Sequence, residues 1–128
     1  MPEITKQRPK YLALNEIRLP LAGFASILHR VSGAGLFLML PLLIWILQLS
    51  LGSTQESADL FKAVTGNLLV KLVLLGLLWA FLHHFCMGIR ILLIDIHVGV
   101  AKAQARTSAI AVLAISLLMT MVLGVKLW

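Results

Sequence analysis

The chain has 128 residues, 60% of them hydrophobic and 12% charged, with a mean hydropathy of +0.99. A water-soluble domain of this size has too little interior to hide that much apolar surface, so a soluble globular fold is excluded and membrane residence follows. The net charge of +6 comes from basic residues that flank apolar runs without interleaved aromatics, which excludes nucleic acid as a partner.

Residues 1–20 carry Lys6, Arg8, Lys10 and Arg18 together with Pro9 and Pro20. The apolar run that follows is too long for the h-region of a cleavable signal, so the first span is expected to be retained. That span is predicted over residues 21–51, beginning just after Pro20, which suits a first helical turn. At about 1.5 Å per residue it exceeds a hydrocarbon core of about 30 Å and must tilt or protrude. Pro41 predicts a kink, which a spanning helix tolerates.

Ser26, His29 and Arg30 stand at i, i+3 and i+4, and Gly33 continues their face. Ionisable groups facing lipid cost about 2.5–3.5 kcal/mol each, so this face requires a cofactor, a substrate or another chain. Next, Ser53-Thr54-Gln55-Glu56 fits a capping box and predicts a short surface helix over residues 54–64.

The second span is predicted over residues 68–98 and the third over residues 108–127, bracketed by Arg106 and Lys126. Trp45 and Trp128 lie near span ends, where amphipathic rings favour the interface. The lone Cys86 cannot form an internal disulfide and reads as a small hydrophobe. Together these segments predict an all-α integral membrane protein of one domain with three transmembrane helices.

Lys6, Arg8, Lys10 and Arg18 precede the first span, and Lys102 and Arg106 follow the second. The positive-inside rule therefore puts the N-terminus on the cytoplasmic side. Counting rises along the helices puts Ser26, His29 and Arg30 about 8–14 Å from that side, Arg90 about 9 Å, and His84 about 18 Å. His29 is thus expected about 6–10 Å shallower than His84.

His84 near the midplane has two readings: a hydrogen bond to a neighbouring helix, or an axial ligand of haem iron. Gly88, one turn on, and Gly33 leave room for a flat macrocycle in the second reading. His83 points about 100° away and is expected to pack. Asp95 lies near the His84 face and is expected to pair with Arg90 or an arginine of the first helix; His97 is expected at the solvated interface. If His84 holds iron, the depth of His29 suits a propionate edge, and the second axial ligand must come from another chain.

Arg8-Pro9, then Ser26-Ile27-Leu28-His29-Arg30-Val31-Ser32-Gly33, then His84 with Gly88-Ile89-Arg90 and Asp95, resemble the large cytochrome b anchor subunit of bacterial, ubiquinone-reducing succinate dehydrogenase (complex II). The resemblance covers nearly the whole chain. It implies that His84 is an axial ligand of haem b, paired with a histidine of the small anchor subunit. It also implies that His29 and Arg30 lie by the haem propionates and that Ser26 and Arg30 bind ubiquinone, with Arg90 and Asp95 as support.

Further implied partners are an iron–sulfur subunit and a flavoprotein, which carry the iron–sulfur clusters and FAD. Succinate oxidation then takes place on the flavoprotein, this chain holds no catalytic residue of its own, and the complex lies in the bacterial inner membrane. The chain has neither a flavin fingerprint nor a cysteine cluster. It departs from the family pattern at Lys10, Ile91 and Ile94. Two other readings stay open: a quinol:fumarate reductase anchor, and a non-redox membrane subunit whose His and Arg groups pair between helices.

Overall fold

The computed structural model describes residues 15–128. Arg8-Pro9 and Lys10 lie outside the described residues. The order is α1 (Leu21–Leu51), α2 (Gln55–Gly66), α3 (Leu68–Asp95) and α4 (Lys102–Leu127). Of these, α1, α3 and α4 are long and apolar enough to cross a membrane.

Each boundary has a local cause. Helix α1 starts after Pro20, whose φ of −65° is ready for a first turn, and it runs through Pro41 without interruption. Thr54 caps α2 by accepting from the Ser57 backbone N–H at 3.2 Å. The cap is therefore Thr54 rather than the expected Ser53, and the helix runs to Gly66, past the expected residue 64. Asn67 caps α3, its side-chain oxygen accepting from the backbone N–H of Leu69 at 2.9 Å and of Val70 at 3.4 Å.

Helix α3 stops at Asp95, short of residue 98, because His97 and Gly99 take left-handed φ values of 65° and 76°. Glycine reaches that conformation without cost. Helix α4 starts six residues before Ser108, at Lys102. The apolar pattern begins only at Ser108, but a helix continues through a polar turn wherever long cationic side chains can reach the interface.

Cross-helix contacts define the topology. On α1 and α3, Gly33 meets His84 while His29 meets Gly88. On α3 and α4, Arg90 meets Ser108 and Leu75 meets Gly124. Numbers rise on one helix as they fall on the other, so α3 runs antiparallel to both neighbours. Consequently α1 and α4 are parallel and begin on the same side. Helix α3 is central, with its largest contacts against α1 and α4.

The interior is small and polar. The buried apolar residues are Ala25, Leu82, Met87, Ala109 and Val112, beside buried Ser32, His83, Arg90, Ser116 and Thr120. On α4 the buried positions Ala109, Val112, Ser116, Thr120 and Gly124 follow the i, i+3, i+4 rhythm. Large apolar side chains instead point outward along all three spans. Lipid offers no hydrophobic drive between helices, so close approach through small residues and interhelical hydrogen bonds must hold them together.

Candidate functional site

The site lies where α1 crosses α3. The His29 and His84 rings stack, with centroids 4.2 Å apart and planes inclined by 11°. They therefore lie at one level, contrary to the expected 6–10 Å difference in depth. Part of the discrepancy is the early end of α3: measured from Asp95 instead of residue 98, His84 rises about 4.5 Å nearer the N-terminal side of α1.

Gly33 makes the stacking possible, and Gly88 adds room on the other side. A Cβ at Gly33 would sit 2.8 Å from His84 Cε1, closer than a real carbon allows, and one at Gly88 would sit 3.9 Å from His29 Nε2. Each helix thus presents a glycine beneath the other helix's imidazole. The small residues expected to leave space for a macrocycle serve first to seat these two rings.

The orientation of His84 is set by hydrogen bonds. Its Nδ1 donates to the His29 backbone carbonyl at 3.0 Å, and the Ser32 hydroxyl donates to the same carbonyl at 2.9 Å. Ser32 Oγ also stands 3.4 Å from Nδ1. A carbonyl oxygen only accepts, so the network assigns the neutral imidazole proton to Nδ1 and leaves the lone pair on Nε2. A hydrogen bond from one ring nitrogen to a backbone carbonyl is how metal-binding histidines are oriented, with the other nitrogen turned to the metal. Ser32, buried at the helix crossing, belongs to the Ser26–Gly33 motif, which gives it no role of its own; its place one turn after His29 is the available signal.

His83 sits differently. It is fully buried, it stacks on Trp79 at 5.4 Å, and both its ring nitrogens are sealed in the bundle without a hydrogen-bond partner, as is Trp79 Nε1. No ligand outside the bundle can reach it. His84 is only partly buried, and its Nε2 is not among the sealed atoms. Of the two adjacent histidines, His84 is the one open to a neighbour.

The remaining polar groups fall into two sets. On α1, Ser26 is half-buried one turn before His29, and Arg30, the residue after His29, is exposed. Arg90 is buried and faces α4: Nε donates to Ser108 Oγ at 2.8 Å and Nη2 to the Ala105 carbonyl at 3.0 Å. Arg90 therefore does not pair with Asp95, which is exposed. Five helical positions separate them, about 140° around the axis, so they occupy different faces. His97 is exposed beyond the helix end.

Taken together, these features define a multi-pass helical membrane subunit with a partly open imidazole at a helix crossing and a serine–arginine pair beside it. Over residues 4–123 the chain matches the family described as succinate dehydrogenase/fumarate reductase transmembrane subunit, and it belongs to that family. Among similar proteins is the succinate dehydrogenase cytochrome b556 subunit of Coxiella burnetii, 32% identical over 122 residues, covering 95% of this chain and 98% of that one. The protein of the same name from Rickettsia felis is 31% identical over 123 residues, covering 96% and 95%. That from Paracoccus denitrificans is 33% identical over 107 residues, covering 84% and 82%. The resemblance read from Ser26–Gly33 and His84–Arg90, to a cytochrome b anchor of complex II, agrees with these matches.

Proposed function

We propose that this chain is the large membrane anchor of a bacterial succinate:ubiquinone oxidoreductase, sharing haem b with a small anchor subunit and helping to form the ubiquinone site. The observation that carries this reading is the His84 hydrogen bond to the His29 carbonyl, which leaves Nε2 with its lone pair on a partly open face. The direction, succinate oxidation rather than fumarate reduction, rests on the names of the relatives.

The residues fit a haem. Among the described residues no three His, Cys, Asp or Glu side chains converge on a point. A haem shared with a partner chain would ask one imidazole of this chain, and His84 would supply it. His29 and Arg30 would lie toward the propionates, where a cation neutralises carboxylates. When bound, the haem supplies a one-electron carrier between the subunits.

The work of this chain's own residues is binding and charge compensation. Reducing a quinone builds negative charge on its oxygens. The Arg30 guanidinium, exposed on α1 within this chain, would stabilise that charge once a partner subunit covers the site and excludes water. The Ser26 hydroxyl donates to a carbonyl oxygen and hands on a proton. Arg90 supports the site by tying α3 to α4, and Asp95 stands at the interface at the end of α3. With the N-terminus cytoplasmic, Ser26 and Arg30 lie where protons arrive from water and where an iron–sulfur subunit can dock. FAD and the clusters belong to the flavoprotein and iron–sulfur partners.

The test is an optical spectrum of the purified complex carrying His84→Ala or His83→Phe. We expect the b-type haem bands to be lost or shifted in the first variant and kept in the second. A normal band at full haem content in the His84 variant would overturn the assignment.

A further inference from the structure

We propose that the cleft between the N-terminal ends of α1 and α4 binds the phosphate headgroup of one anionic phospholipid. The cleft encloses about 760 Å³ and is lined by Pro20, Leu21, Ala22, Ala103 and Ala105, with Lys102 and Arg106. Its wall is mainly apolar, and among the described residues its charged lining groups are two cations one helical turn apart. That combination is complementary to an amphiphilic anion: the cations hold the phosphate while an acyl chain follows the apolar floor toward the bilayer. A free inorganic anion would use the cations and gain nothing from the floor.

Two further features add to the positive potential. Helices α1 and α4 are parallel, so both positive dipole ends face the cleft. Neither helix has a side-chain hydrogen bond at its cap, with Pro20 and Ala101 in the cap positions. The site is separate from the imidazole pair at the α1–α3 crossing, and it depends only on the three-span fold. Its level is also right, since Lys102 and Arg106 belong to the first polar turns of α4, ahead of the apolar span.

The test uses the whole purified complex in mild detergent, with bound lipid counted by native mass spectrometry. Phosphatidylglycerol, phosphatidylcholine and inorganic phosphate are titrated separately. We expect one tightly bound phosphatidylglycerol whose apparent affinity falls roughly tenfold in the double variant Lys102→Gln, Arg106→Gln. Ala103→Phe keeps both charges but fills the cleft, and it should lose the same lipid. Lys62→Gln, on the opposite side, should leave the count unchanged.

Equal retention of phosphatidylglycerol in the double variant and in Ala103→Phe would overturn the proposal. So would phosphatidylcholine binding as tightly as phosphatidylglycerol, or inorganic phosphate displacing the lipid at comparable concentration, because the site would then not select an anionic lipid. If the double variant fails to assemble, Ala103→Phe decides alone.

Discussion

At the scale of single residues, neighbouring histidines on α3 have opposite fates. His84 makes one well-formed bond and keeps one nitrogen open, whereas His83 is sealed with two unmet nitrogens. An unmet buried polar group costs about 1–3 kcal/mol, while an apolar group of similar shape avoids the penalty. His83→Phe should therefore stabilise the complex by about 1 kcal/mol, since a phenyl ring can keep the stack on Trp79. Thermal unfolding of the purified complex reads this directly, and a fall in melting temperature would mean that His83 has a polar partner in the assembled protein. The roles of the pair were only half legible in the sequence. Helical periodicity separates the two rings by about 100°, but cannot say which face meets protein and which stays open. The Ser26–Gly33 motif marked α1 as special, yet the use of Gly33 and Gly88 as seats for opposing imidazoles depends on helix crossing, which no local pattern contains.

At the scale of helices, hydropathy made the three spans legible because lipid imposes a minimum apolar length. The ends were less so. Hydropathy is silent about a polar first turn, which hid the true start of α4, and a left-handed His97 is a backbone choice that composition does not announce. The pairing of Arg90 was missed for a related reason. Asp95 offered the obvious charge, but Ser108 and the Ala105 carbonyl on α4 are nearer in space. This link should be measurable. In membrane proteins, interhelical hydrogen bonds average about 0.6 kcal/mol and reach about 1.7 kcal/mol at most. A double-mutant cycle with Arg90→Gln and Ser108→Ala should give a coupling energy in that range by reversible unfolding. A coupling of zero would mean that the two side chains do not interact in the membrane.

At the scale of the whole molecule, the exposed faces explain why the chain needs partners. None of the most apolar stretch of α1 is buried within the chain, and Ser26 and Arg30 lie on that helix. A quinone held there must be completed by another subunit. The same arrangement separates two activities. On the proposed function, electrons taken from succinate would reach an artificial acceptor through the soluble partners alone, but ubiquinone only at this membrane site. On that proposal, Arg30→Ala would remove the charge that compensates a reduced quinone oxygen, and Ser26→Ala would remove a donor. Each should lower succinate:ubiquinone turnover by roughly tenfold to a hundredfold. Succinate oxidation with an artificial acceptor should stay at the level of the unmodified complex, which also shows that assembly is intact. The two rates are measured on one preparation, so a poorly folded variant reveals itself by losing both. Undiminished ubiquinone turnover in both variants would remove Ser26 and Arg30 from the quinone site, and the exposed face of α1 would then have to be read as a surface for protein partners only.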